Sequence, residues 1–219
     1  EVAEGRPLSE VAGIVWRQPD GSFARNPDRP PIQDLDAIPC VTDVYARDLT
    51  IENYSIGYLL HPYVSLYTGR GCRSRCTFCL WPQTISGHVY RTRSVEHVLA
   101  EMAHAKKLFP QVREFFFDDD TFTAKAADVS GLCSHLRQSL AFAPSWSCNS
   151  CAVQLPVELL ETMRAAGCVS MTFGLESGSA AVRGHMGKPI DPAELFETPP
   201  PGVSTEVTGA NFVGDYAIQ

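Results

Sequence analysis

Apolar and polar residues alternate along the middle of the chain in blocks of two periods. Tyr63 to Tyr67 is a short β-rich run. Ser94 is a good N-cap, and Val95, Val98, Leu99 and Met102 follow it at helical spacing until Pro110 stops the run. Val112 to Phe117 reads as a strand ending in three aspartates, Asp118, Asp119 and Asp120. Val129, Leu132, Cys133, Leu136 and Leu140 make a second helical stripe. Ser145 to Cys148 reads as a strand, Pro156 opens a third helix that Gly167 closes, and Val169 to Phe173 is the next strand. Strands alternating with helices imply βαβ units and a parallel sheet, so the fold class is α/β.

The two ends break this rhythm. The first forty residues carry Pro7, Pro19, Pro27, Pro30, Pro31 and Pro39. Within them Val11 to Arg17 reads as a short strand, with a turn at Pro19-Asp20-Gly21. Residues 1–60 read as the end of one domain plus a linker, and 61–219 as the main domain. Near the C-terminus Asp191 to Glu197 begins a helix that Pro199, Pro200 and Pro201 end. Ser204 to Val213 reads as a fifth strand, with Gly214 just after it.

Composition narrows the classes. The net charge of −7 gives no basic excess for a general nucleic-acid surface. No run of 18 apolar residues marks a transmembrane segment, and the first residues carry no secretory leader pattern. Three of the eight cysteines fall within one loop, a pattern that fits a reducing cytoplasm better than a disulfide scaffold.

That loop carries the chemistry. Cys72, Cys76 and Cys79 follow the first strand with spacing Cys-x-x-x-Cys-x-x-Cys, and Gly69 and Gly71 let the backbone turn out of the strand. Such a loop suits three thiolates around a compact iron–sulfur cubane with one iron left open. A zinc site is the competing reading. Zinc sites usually use two Cys-x-x-Cys knuckles about 15–20 residues apart, and the second knuckle here, Cys148 to Cys151, is far along the chain. A redox pair formed by Cys148 and Cys151 is the third reading.

In parallel α/β folds ligands gather at the carboxyl ends of strands. Every predicted strand exit here carries polar or ligating residues. They are the cysteine loop, Asp118 to Asp120, Ser147 to Asn149, and Glu176 with Ser177.

CRSRCTFC, with Phe78 just before its third cysteine, resembles the signature of the radical S-adenosylmethionine (SAM) superfamily. The resemblance implies a partial (β/α)6, TIM-like barrel, incomplete after about strand five. It also implies a [4Fe-4S] cluster on Cys72, Cys76 and Cys79 and reductive cleavage of SAM to a 5′-deoxyadenosyl radical. Carried over to this sequence, Asp119 and Asp120 hold the SAM ammonium, Glu176 the ribose, Phe78 the adenine, and Ser147 and Asn149 add contacts. An electron donor such as flavodoxin or ferredoxin is implied as partner. The Pro-rich connector is similar to the one after the cobalamin-binding domain of the B12-binding subclass. No Asp-x-His-x-x-Gly motif occurs here, so cobalamin falls to a longer parent. The stretch CLWPQTISGHVYRTRS, with FFFDDDTFT and WSCN, looks like the hopanoid-biosynthesis-associated branch. That likeness implies a hopanoid headgroup as substrate, with a B12-dependent methyltransferase as the alternative.

Overall fold

A computed structural model describes residues 1–150, 155–188, 203–208 and 213–218, with 85–86 and the last two segments as backbone alone. It divides into two compact units, Glu1–Gln33 and Asp34–Gln219. The first is built on an antiparallel pair, β1 (Val15–Arg17) and β2 (Phe23–Arg25). The Pro19-Asp20-Gly21 turn joins the two strands, with Asp20 accepting from the amide and hydroxyl of Ser22.

The second unit opens with α1 (Thr42–Asp48) and continues with β3 (Tyr63–Leu66). A two-rung hairpin, β4 (Gly69–Arg70) and β5 (Arg91–Thr92), brackets the cysteine loop. Then come α2 (Val95–Leu108), β6 (Glu114–Phe117), α3 (Ala126–Ser139), β7 (Trp146–Asn149), α4 (Val157–Ala165), β8 (Cys168–Gly174) and α5 (Ala180–His185). β9 (Val203–Thr208) and β10 (Val213–Ile218) complete the order. The main sheet runs β3-β6-β7-β8-β10-β9, and its first four strands are parallel.

The predicted parallel strand over Ser204 to Val213 is corrected. Val203–Thr208 forms the sheet's edge, and Val213–Ile218 lies beside β8, antiparallel to it. Four residues separate β9 from β10. A link that short permits only an antiparallel hairpin, because a parallel return needs a crossover of about a dozen residues or more. The expected helix at Asp191 to Glu197 lies outside the described residues.

Patterning explains why the sheet sits where it does. Ser94 caps α2 by accepting from the His97 amide at 3.1 Å. Val98, Leu99, Met102 and Ala105 of α2 and Val129, Leu132, Cys133 and Leu136 of α3 bury one stripe each against the sheet. β6 is buried on both faces. Phe115 and Phe117 join the helix-side core, while Phe116 meets Tyr58 edge-on at 6.5 Å. Phe117, Phe122 and Trp146 form one aromatic cluster with centroids 5.1–5.5 Å apart. This rigid layer fixes the strand exits from which the functional loops leave.

Candidate active site

Chain leaving β3 enters the hairpin through Tyr67 and Thr68. Thr68 O accepts from the Arg93 amide at 2.8 Å, and Cys72 N donates to Gly87 O at 3.0 Å, so hydrogen bonds continue the ladder on both sides of β4 and β5. Gly71 makes the bend possible. Its φ is +103°, and a Cβ there would lie 2.2 Å from the carbonyl oxygen of Val89. Gly69 lies against the ring of Tyr90, where a Cβ would approach to 2.7 Å. The far side of the loop is tied to α5 by a bond from Thr77 N to Met186 O at 3.0 Å.

Cys72, Cys76 and Cys79 are half-buried and not in disulfides. Cys72 Sγ lies 3.3 Å from Thr121 Oγ1. Among the described residues no three His, Cys, Asp or Glu side chains are grouped so as to hold one metal ion. A single zinc needs every ligand within about 2.3 Å of one point, whereas each thiolate on a cubane takes a different iron. Three soft thiol donors on one anchored loop are a donor set that suits an iron–sulfur cluster.

A cleft of about 440 Å³ opens beside the loop, and Cys72, Cys79, Asp118, Asp120, Asn149 and Lys188 lie along it. Asp118 accepts from Asn149 Nδ2 at 2.8 Å and Tyr67 Oη at 3.3 Å, and burial pushes its pKa up. Asp120 accepts from Gly71 N at 3.2 Å. Asp119 sits at the cleft wall with no solvent exposure. It accepts from Thr68 N at 2.7 Å, from the Thr68 hydroxyl and from Tyr90 Oη at 2.8 Å. Burial raises its pKa to about 6, against the pull of those donors.

The expected site residues are thus divided. Asn149, Asp118 and Asp120 meet at the cleft. Ser147 is 1% exposed and donates to Glu114, which also accepts from Leu60 N at 2.6 Å. Ser147 is therefore engaged inside the sheet. Glu176 stands after β8 with a left-handed φ of +67°. Its Oε1 accepts from Lys188 Nζ at 2.7 Å, and Lys188 also lies 6.0 Å from the Phe78 ring centroid. Phe78 itself is 51% exposed, so it is not a core aromatic. Cys148 is fully buried beside Cys168, and burial raises its thiol pKa well above the ordinary value. Its proposed partner Cys151 lies outside the described residues.

Two contributors, Lys188 and Tyr90, escaped the sequence reading. Lys188 follows Glu176 by twelve residues and returns to it only because α5 folds back. Tyr90 was visible only as part of a loop. Arg70, which the sequence places with Arg73, Arg75, Arg91 and Arg93 around the cysteine loop, stacks on Tyr67 at 3.6 Å and lines the cleft. Of that basic group, Arg93 is committed to Glu101 at 2.5 Å.

The family model described as the Radical SAM superfamily matches residues 66–198. An uncharacterized methyltransferase of Pyrococcus horikoshii is 28% identical over 90% of this chain and 41% of its own length. Cytidylyl-2-hydroxyethylphosphonate methyltransferase of Streptomyces wedmorensis is 28% identical over 77% of this chain and 36% of its own length. The chain thus spans about two fifths of these curated relatives. Among solved structures, the cobalamin-dependent SAM radical enzyme OxsB superposes with a TM-score of 0.67 at 22% identity, covering 86% of this chain and 27% of its own. The radical SAM methyltransferase TsrM of Kitasatospora setae, solved with tryptophan substrate and a SAM analogue, gives 0.59 at 17%, covering 83% and 35%. Among the described residues no helix is long and apolar enough to cross a membrane.

Proposed function

The chain belongs to the radical SAM superfamily, whose cofactors are a [4Fe-4S] cluster and SAM, and we propose that it is the cluster- and SAM-binding core of a larger cobalamin-type enzyme. The observation that carries this reading is that Cys72 and Cys79 share one cleft with Asp118, Asp120 and Lys188. Cys72, Cys76 and Cys79 would hold the cluster, which when bound supplies the electron for reductive SAM cleavage. Asp120, backed by Asp118, accepts hydrogen bonds from the methionine ammonium. Glu176, oriented by Lys188, offers its other oxygen to the ribose hydroxyls. Phe78 flanks the adenine with its exposed ring. Asn149 sets the orientation of Asp118, and Ser147 acts on the strand rather than on the ligand.

Two finer readings concern the parent enzyme. Methyl transfer has the wider support, because the two curated relatives carry that activity in their names and OxsB is named as cobalamin-dependent. A hopanoid headgroup as substrate rests on the CLWPQTISGHVYRTRS stretch alone. Flavodoxin or ferredoxin serves as electron donor in this reading, and an oxygen-sensitive cluster held by thiolates suits the cytoplasm. Anaerobic reconstitution tests the core. The expected result is about four irons and four sulfides per chain, lost in Cys76→Ala. Zinc uptake without iron would overturn it. Methylcobalamin turnover by the longer parent separates methyl transfer from hopanoid chemistry.

A further inference from the structure

The SAM contacts proposed above leave Asp119 without a task, although it is the most enclosed acid beside the cleft. We propose that Asp119 is a positioning residue: one carboxylate ties both arms of the cysteine-loop hairpin to the exit of β6 and so fixes where the three thiols stand. The claim rests on reading that loop as the cluster loop.

The hairpin needs such a tie. β4 and β5 share only two residue pairs, Gly69 with Thr92 and Arg70 with Arg91. A two-stranded ribbon of that length is not stable alone. Asp119 supplies what the ladder lacks. On the incoming arm it accepts from the amide and hydroxyl of Thr68, and on the returning arm from the hydroxyl of Tyr90. All of these atoms are buried, so water does not compete for them, and bonds to an ionised acceptor are about twice as strong as neutral ones. Asp118 N donates to Leu66 O at 2.9 Å, so the residue before Asp119 is itself locked to β3. The tie therefore runs from the rigid sheet through Asp119 to both ends of the loop. Gly69 permits it, since any Cβ there would meet the Tyr90 ring. The raised pKa of Asp119 shows that the site tolerates a costly buried acid for these bonds.

The test uses Asp119→Asn and Tyr90→Phe in the whole chain. Hydrogen exchange of the metal-free, reduced protein is read first. In both variants the amides of residues 68–72 and 88–93 are expected to exchange about ten- to a hundredfold faster, the range that a lost bond or two to a charged group supplies. Amides of β7 and β8 are expected to keep their rates. After anaerobic reconstitution, Asp119→Asn is expected to bind less iron per chain. Tyr90→Phe, which loses one hydroxyl and keeps its ring, is expected to load but with a shifted EPR line shape for the reduced cluster. Its SAM affinity should stay within about twofold of the parent, as no ligand contact is lost. Unchanged loop exchange combined with weakened SAM binding would overturn the proposal and make Asp119 a SAM ligand. Equal acceleration across β7 and β8 would overturn it in favour of a general packing role. If the parent chain takes up no iron, the cluster reading fails, and the exchange data still decide whether Asp119 holds the loop.

Discussion

Replacing Gly71 by Ala attacks the bend from which the cysteine loop departs. The backbone there has φ +103°, and an added Cβ would lie 2.2 Å from Val89 O. Holding an L-residue at positive φ costs roughly 1–2 kcal/mol. The clash is with backbone rather than with a flexible side chain, so the two arms must separate by about an ångström, the distance needed to restore ordinary contact. That movement breaks the Cys72 N to Gly87 O bond and the Gly71 N to Asp120 bond, now 3.0 and 3.2 Å. At about 1 kcal/mol each, the total is roughly 3–4 kcal/mol of local stability. The closed loop then falls by a factor on the order of a hundred or more. Iron content after anaerobic reconstitution and exchange at residues 68–93 report it. Gly131→Ala is the control. It sits in α3 with nothing within 4 Å of a new Cβ, and is expected to gain up to about 1 kcal/mol with iron uptake unchanged. A Gly71→Ala chain that loads iron normally and protects its loop amides like the parent would refute the reasoning.

Other perturbations probe separate parts of the account. Lys188→Met removes the partner of Glu176 from a pair only 16% and 26% exposed; SAM affinity should fall about tenfold, a loss of about 1.4 kcal/mol, and isothermal titration with loaded protein would show it. Asp119 has a folded pKa of about 6 against an ordinary 3.8, so its protonated form favours the fold. Its contribution is present below about pH 4 and is lost as pH rises through about 6. Urea unfolding of the metal-free chain should show the stability of the parent, relative to Asp119→Asn, declining across that window; a flat or rising difference contradicts it. Cys148 is buried with a raised thiol pKa, so alkylation of the native metal-free chain near pH 8 should modify Cys72, Cys76 and Cys79 and spare Cys148.

Much of the fold was legible because its signals are local. Ser94 and the 3.6-residue stripe of α2 announce a helix, and the run from Val112 to Phe117 announces a strand that ends in acids. The rule that ligands gather at strand exits then places Asp118 to Asp120 and the cysteine loop on one side. What escaped depends on three-dimensional return. Lys188 reaches Glu176 across the turn of a helix, and neither residue carries a motif for the other. Asp119 and Asp120 are adjacent in sequence, yet successive residues leaving a strand face opposite ways, so one is engaged with the hairpin base while its neighbour bonds the Gly71 amide. Ser147 and Asn149 are two residues apart and share a face of β7, so position along the strand separates them: Ser147 donates to Glu114 within the sheet, and Asn149 reaches Asp118 at the strand exit. The antiparallel β10 was hidden for another reason. Strand propensity carries no direction, and only the four-residue link to β9 reveals it.

The most direct test of the central claim is EPR of the reduced, anaerobically reconstituted chain, recorded with and without SAM labelled with 17O in its carboxylate. A cluster held by Cys72, Cys76 and Cys79 with an open iron should show a shifted signal on adding SAM and extra broadening from the label, both absent in Cys76→Ala. A signal that SAM leaves untouched, or a protein that returns from reconstitution carrying zinc and no iron, would contradict it.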